Sequence, residues 1–364
     1  MRVLFVVPDV HGGGAEFVAV QWAQWLVGQG HEAKFFLTHS SRKASRLPDG
    51  VDSVQSGVEG FGRKVGELRT VCKGFDPDVV VSLMPYWNLL NILANRVLSR
   101  SRARVVVSGR NIETGLPNSH SIDSRAKRGL TRRLLRHADA YIAISHPVAA
   151  EARALYGIPL EKVWVVPNPA TGKMDGVRGV ARTDRATRRD HWIDLAVPAR
   201  HVPQKRPVIA LEVARQLADR GELVRVHFFG DGPLRSSLAA TADELGVETV
   251  FHGWVEEWFS ACPPGTVVLL PSVTEGFGNV LVEAAAAGMV SVVSSRCIGS
   301  ADACIPGVTA VLAAGDAVTD YTEAVLEARE IEVAGIEGWL DRFSRDTSGR
   351  VLLKALGEGA DQRR

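Results

Sequence analysis

Residues 266–295 read TVVLLPSVTEGFGNVLVEAAAAGMVSVVSS. A short apolar run, TVVLLPS (266–272), gives way to a Gly-rich turn, then to an Ala- and Leu-rich segment reaching Ala287, then to a second β-branched run, VSVVSS (290–295). Strand, turn, helix and strand in this order make a βαβ unit. Strands that are apolar at nearly every position belong to a parallel sheet covered by helices on both faces. The same rhythm extends through the second half in DLAVPA (194–199), VRVHFFG (224–230) and TAVLAA (309–314). It also fills the first half: VLFVV (3–7), a helix-like stretch from Ala15, AKFFL (33–37), VVVSL (79–83), RVVVS (104–108), YIAIS (141–145) and VWVVP (163–167).

Between the two series lies TGKMDGVRGVARTDRATRRD (171–190), almost without periodic apolar residues, which reads as an exposed linker or loop. The 364 residues, 46% hydrophobic and 23% charged, suit two α/β domains with a core each and leave no room for extensive disorder. The expected division is 1–168, 169–344, and a C-terminal helix in 345–364, with Trp339 and Phe343 available to pack. Two such domains put the C-terminal edges of both sheets at a central cleft, where open α/β sheets bind ligands.

Four cysteines, Cys72, Cys262, Cys297 and Cys304, form no C-x-x-C pair, so they read as reduced thiols of a cytoplasmic protein. No run approaches the roughly 18 uninterrupted apolar residues that span a bilayer, so neither a transmembrane helix nor a signal peptide is expected. The net charge of +2 hides an asymmetry: residues 1–168 carry +8 and residues 169–364 carry −6. The first half therefore either meets something anionic or presents a solvated basic face.

The chemistry concentrates in PSVTEGFGNVLVEAAAAG (271–288). Glu275 lies in the turn after the strand, with Gly276, Phe277 and Gly278, and the following helix offers unpaired amides and the positive end of its dipole to a phosphate. Glu283 falls about one and a half turns into that helix, beside an apolar run, so it is either partnered by sugar or ribose hydroxyls or solvated on an exposed face. In VPARHVPQKRP, Arg200 and Lys205 stand five residues apart after a strand and could reach one diphosphate, although two surface cations are also commonly just solvated. FFGDGPLR (228–235) reads first as a tight turn, with Pro233 at the first helical position.

In order along the chain, GGGAE (12–16), HADAYIAIS (137–145), VWVVPNP (163–169), the Arg200–Lys205 loop, FFGDGPLR, FHGWV (251–255) and the Glu275–Glu283 pair resemble retaining glycosyltransferases of the GT-B fold, family 4. The resemblance covers nearly the whole chain. It implies two Rossmann-like doubly wound domains facing a cleft, with the C-terminal helix crossing back to the first. It implies transfer of a sugar from a nucleotide-sugar, UDP by family frequency, to a hydroxyl acceptor in polysaccharide, glycolipid or glycoconjugate synthesis. Glu283 would hold the ribose and Glu275 the donor sugar. Gly276, Phe277, Gly278 and Asn279, with Gly230 and Trp254, would complete the donor side. Arg200 and Lys205 would neutralise the departing diphosphate, so neither a metal nor a cofactor is expected and no nucleophile is named. Gly13 and Gly14 would face the diphosphate from the other domain. Glu16, Arg110 and Asn111 would lie toward the acceptor, where relatives often carry a His and this chain has SGRNIE (108–113). A second departure is SSRCIGSADACIPG (294–307), which lacks the Gly-Pro or Gly-Gly followed by Glu common in relatives.

RAKRGLTRRLLRHAD (125–139) is a basic helix candidate. It could lie on an anionic leaflet through 125–136, serving a saccharide or lipid-linked acceptor, or its leucines could pack inward beneath solvated arginines. Nucleic acid is not expected, because no aromatic residues interleave with the arginines. The competing readings are a GT-B sugar-nucleotide enzyme of other chemistry, such as an epimerase, and a non-catalytic partner subunit. A dehydrogenase is disfavoured because GGGAE lacks the G-x-G-x-x-G spacing.

Overall fold

The computed structural model describes residues 1–10, 13–39, 47–99, 101–115, 129, 131–174 and 192–357. The chain divides into two units. The first takes nearly all described residues up to Gly172 and resumes at Asp341; the second takes Lys173 to Leu340. Much of the polar stretch 171–190 lies outside the described residues.

The first unit holds strands β1 (Arg2–Val7), β2 (Glu32–Leu37), β3 (Val51–Gln55), β4 (Val79–Leu83), β5 (Arg104–Gly109), β6 (Ala140–Ala143) and β7 (Val163–Val165), with helices α1 (Gly14–Gly28), α2 (Phe61–Phe75), α3 (Pro85–Ile92) and α4 (His146–Tyr156). The second holds β8 (Ile193–Pro198), β9 (Val224–Phe229), β10 (Glu248–Gly253), β11 (Val267–Leu270), β12 (Ser291–Ser294) and β13 (Ala310–Ala313), with α5 (Val208–Asp219), α6 (Arg235–Leu245), α7 (Asn279–Ala286) and α8 (Val318–Ala328). The chain continues through α9 (Glu337–Asp341) into α10 (Arg345–Leu356). Sheet order is β3-β2-β1-β4-β5-β6-β7 in the first unit and β10-β9-β8-β11-β12-β13 in the second. Every pairing is parallel; Val3, for example, aligns with Ala33 on one side and Val79 on the other. The two doubly wound sheets expected from the strand rhythm are both present.

Alternation along β1 shows why its sequence is apolar throughout. Val3, Phe5 and Val7 pack with Trp22 and Leu26 of α1, while Leu4 and Val6 pack with Leu68, Cys72 and Phe75 of α2. Residues of β8 divide the same way: Leu195 and Val197 meet Leu211, Ala214 and Leu217 of α5, and Ala196 meets Trp258 and Ala284. Helix ends follow local chemistry. Ser145 accepts from Val148 N at 3.3 Å to start α4, and Gly157 closes it at φ +65.

Two strands escape the sequence reading, β3 and β10, and each ends its sheet. Both are largely exposed or half-buried, so VDSVQ and ETVFHG carry polar residues where a fully buried strand carries valines. Pro233 also departs from expectation. It lies in the turn before α6, whose first residue is Arg235, because residues 230–234 are spent on contacts with the loop after β8.

Helix α10 packs on α1. Trp22 Nε1 donates to Ser348 Oγ at 2.9 Å, Ser348 Oγ donates to the Pro167 carbonyl at 2.5 Å, and Arg345 Nε donates to Gln21 Oε1 at 2.7 Å. Gly349 permits this approach, since a Cβ there would stand 2.1 Å from the Trp25 ring. Gly349→Ala is therefore expected to destabilise the first unit by about 1–3 kcal/mol, read as a lower urea midpoint. Gly66→Ala, at an exposed position inside α2 with no atom within 4 Å of the new Cβ, is expected to stabilise it by about 0.5–1 kcal/mol.

Candidate active site

In the second unit, β8 and β11 lie side by side and the loops leaving them are stitched together. Gln204 Nε2 donates to the Thr274 carbonyl at 2.8 Å, Val273 N donates to the Gln204 carbonyl at 2.9 Å, and Arg206 Nε donates to the Pro271 carbonyl at 2.6 Å. Arg206, at φ +45, is itself held by Asp316 Oδ1 at 3.1 Å and the Tyr321 hydroxyl at 2.7 Å. This framework brings two of the sequence candidates into contact. Lys205 Nζ donates to Glu275 Oε1 at 2.5 Å, and Ser272 Oγ donates to the same oxygen at 2.7 Å. Both side chains are largely buried, so each ion depends on the other for compensation.

Arg200 behaves differently. It is exposed at the end of β8, and its guanidinium has no partner among the described residues. The backbone beside it is fixed by Gly230, at φ +115, whose added Cβ would stand 2.5 Å from the Ala199 carbonyl oxygen. Gly230 N also donates to the Gly253 carbonyl at 2.6 Å, which ties the ends of β8, β9 and β10 together. Trp254 follows immediately and is 63% exposed.

Glu283 is 2% exposed, which rules out the solvated alternative. Its Oε2 accepts from Trp258 Nε1 at 2.7 Å and its Oε1 lies 3.5 Å from Lys173 Nζ. Phe277 turns its ring into the interior, leaving its backbone to the turn, and Gly278 adopts φ +95 as the cap residue of α7 without a side-chain cap. Gly276 and Asn279 flank it on either side.

The first unit gathers the remaining candidates at its strand ends. Gly13 caps α1 and Gly14 begins it. Glu16 folds its carboxylate back over Gly13, where a Cβ would meet Oε2 at 1.9 Å. Arg110 follows β5, its Nη1 donating to Asn168 Oδ1 at 2.9 Å and its guanidinium carbon 4.7 Å from the centre of a Trp22 ring. Burial lowers its pKa to about 9, with Glu16 and Tyr141 acting in the opposite direction, so it stays charged at neutral pH. Asn111 turns inward on its own loop, Oδ1 accepting from Ile112 N at 3.0 Å.

Several partners had no signal in the sequence. Trp258 and Lys173 reach Glu283 from 25 and 110 residues away, Asn168 and Trp22 grip Arg110 from distant segments, and Arg206 anchors the Lys205 loop. His201 is fully buried between Phe228 and Phe251, with neither ring nitrogen hydrogen-bonded. In the basic segment, Arg125, Lys127, Arg128 and Leu130 lie outside the described residues. Arg132, Arg133 and Arg136 are exposed, and Leu135 is buried.

Residues 12–170 match Glycosyltransferase Family 4, and residues 194–330 match Glycosyl transferases group 1. Each half of the chain thus carries a glycosyltransferase domain. It is 31% identical over 208 residues to a D-inositol 3-phosphate glycosyltransferase of Kribbella flavida, covering 52% of this chain and 47% of that one. It is 22% identical to a Campylobacter jejuni alpha-1,4-N-acetyl-D-galactosaminyltransferase whose name specifies a PP-undecaprenol-linked substrate, covering 78% and 76%. The chain thus spans about half the length of the first curated relatives it matches. Among solved structures, Anabaena HepE in complex with UDP and glucose superposes with a TM-score of 0.73 at 18% identity, covering 98% of this chain and 100% of that one. The fold is that of the GT-B glycosyltransferases.

The Lys205–Glu275 contact is testable without a substrate. Lys205→Met and Glu275→Gln are each expected to destabilise the second unit, and the double variant less than their sum. The coupling read from a urea double-mutant cycle should be about 1–3 kcal/mol. His201 sets a pH dependence. Burial depresses its pKa, so the unfolded chain binds the extra proton and stability falls as pH drops below the ordinary histidine value near 6.5. His201→Phe should flatten the stability profile between about pH 6.5 and 5.

Proposed function

We propose that this chain transfers a sugar, with retention of configuration, from a nucleoside-diphosphate sugar to a hydroxyl of a saccharide or lipid-linked acceptor in bacterial glycoconjugate synthesis. The observation that carries the reading is Glu283: a carboxylate 2% exposed, held by an indole N–H and a lysine, on the helix that follows the Glu275–Gly278 turn. The two glycosyltransferase domains make a nucleotide-sugar its natural ligand. UDP is the preferred nucleotide, supported by the UDP-bound HepE neighbour. The name of the Campylobacter relative supports an acceptor linked to a polyprenyl diphosphate.

In this reading, Glu283 accepts from the ribose hydroxyls and Glu275 from hydroxyls of the donor sugar. The diphosphate lies by the start of α7, against the Gly276–Gly278 backbone. Arg200 is available to it directly, and Lys205 reaches it by sharing the contact it now makes with Glu275. As the bond from the anomeric carbon to the phosphate oxygen breaks, negative charge grows on the leaving diphosphate, and these two cations stabilise it. The acceptor oxygen bonds to the anomeric carbon from the same face, and its proton passes to the departing phosphate oxygen. Glu275 and Glu283 are not a glycosidase pair, since they serve different parts of the donor. With Arg200 and Lys205 holding the leaving group, the reaction runs without a divalent metal. Gly13 and Gly14 contact the diphosphate, and Glu16, Arg110 and Asn111 serve the acceptor side.

Peripheral attachment to an anionic leaflet belongs to the same proposal. Arg132, Arg133 and Arg136 face solvent while Leu135 is committed to the interior, so attachment would be electrostatic and not by insertion. Among the described residues no helix is long and apolar enough to cross a membrane. Sedimentation with phosphatidylglycerol vesicles should be strong at low salt and lost at about 0.5 M, where the screening length falls to a few ångströms.

The deciding experiment is calorimetric titration, in EDTA, with UDP, GDP, ADP and NAD. One nucleoside diphosphate is expected to bind, and Glu283→Ala to weaken it at least about tenfold, the scale of one lost charge-assisted contact. Sugar transfer from the matching donor should persist in EDTA and fall in Lys205→Ala more than stability does. Binding of no nucleotide, or undiminished binding by folded Glu283→Ala, would overturn the assignment and favour a non-catalytic partner subunit.

A further inference from the structure

Arg110 is gripped from several directions, while one edge of its guanidinium is left without a hydrogen-bond partner among the described residues. Its guanidinium carbon lies over the Trp22 ring, and Nη1 is occupied by Asn168 Oδ1. The segment that carries it is gripped as well: Asn88 Nδ2 donates to the Ser108 carbonyl at 2.9 Å and Asn88 Oδ1 accepts from Ser108 N at 3.3 Å. What remains is the edge formed by Nε and Nη2. Both atoms are buried and, among the described residues, neither has a hydrogen-bond partner.

These are not two arbitrary orphans. Nε and Nη2 point the same way, and together they form the side of the guanidinium that meets two oxygens of a carboxylate or phosphate in parallel. Buried donors in folded proteins are nearly always satisfied, so a pair left unspent on a charged group needs an explanation. Glu16 lies close enough for its charge to be felt at Arg110, yet it makes no hydrogen bond to this edge, because its carboxylate is folded over Gly13. The edge is buried, and a charge-assisted bond formed in a buried setting is stronger than one in water.

We propose that the Nε–Nη2 edge of Arg110 is a socket for an oxyanion, a phosphate or carboxylate group carried by the acceptor. The proposal rests on the acceptor-side reading of this unit and gives it a substrate class: acceptors bearing a negative group, in preference to neutral saccharides. Arg110 is then a specificity-determining residue, and lysine cannot replace it, since an ammonium ion offers charge without the fork.

The test follows the Arg110 Nε–H resonance in the full-length protein, assigned by comparison with Arg110→Lys, with UDP held at saturation so that phosphate sites in the second unit are filled. Inorganic phosphate, glycerol 3-phosphate and acetate are titrated against glycerol as the neutral control. The expected result is a saturable shift of the Nε–H signal with the anions and none with glycerol. Phosphate affinity should weaken at least about tenfold in Arg110→Lys while UDP binding is unchanged. A shift caused by UDP alone, with no further response to phosphate, would assign the socket to the donor and overturn the proposal. So would the absence of any anion response, which would leave the edge to a trapped water. UDP binding is read in the same samples, so failure of the donor reading is seen separately from failure of the socket.

Discussion

A parallel sheet covered by helices on both faces leaves its polar chemistry one outlet, the loops at the strand ends. In both units of this chain the central strands are buried on each side, and their side chains are committed to packing. Everything able to bind a charged or hydroxylated ligand is therefore displaced to the turns after β5, β8, β9 and β11 or to the first turns of the helices that follow. The buried Lys205–Glu275 contact is the sharpest case. It stands where two adjacent strand ends meet, and the hydrogen bonds among Gln204, Arg206, Pro271, Val273 and Thr274 hold its two loops in register.

The same constraint decides what could be read from the sequence. Burial on both faces writes itself as unbroken runs such as VLFVV and VVVSL, so the central strands and the doubly wound class were legible. Strands β3 and β10 are mostly exposed or half-buried, and their mixed composition concealed them. At the site, residue types at strand ends pointed to Glu275, Glu283 and Lys205 as candidates, and the family resemblance pointed to Arg110. Their environments were hidden. No local pattern announces that Trp258 and Lys173 will enclose Glu283 or that Asn168 and Trp22 will hold Arg110, because these contacts depend on how distant segments pack. Pro233 shows the reverse error, a sound local rule overridden by tertiary contacts of the neighbouring turn.

Charge in the two units is handled in contrasting ways. In the second unit the buried carboxylates are each met by a cation, and Arg200 alone of the candidate cations stays exposed and unspent. In the first unit a cation is buried and its carboxylate neighbour is turned aside. A ligand entering the second unit must share existing ion contacts, whereas one reaching Arg110 completes an incomplete set. Sharing of this kind draws on an existing ion pair in the first case, whereas the second offers donors that no other described residue occupies.

The packing of α10 on α1 has a consequence for synthesis. Trp22 and Ser348 are bonded across 326 residues, and Leu352, Ala355 and Leu356 belong to the same core as Val3 and Phe5. The second unit, by contrast, is built from one continuous stretch, Lys173 to Leu340 apart from a small contribution near Gly115. On the ribosome it can close its core while the first unit still waits, with the inner face of α1 uncovered, for a helix not yet made. Of the two units, the one whose translation starts first is thus the one whose core is completed last, because Trp22 and Trp25 gain their partners Ser348 and Asp346 only when α10 has been made.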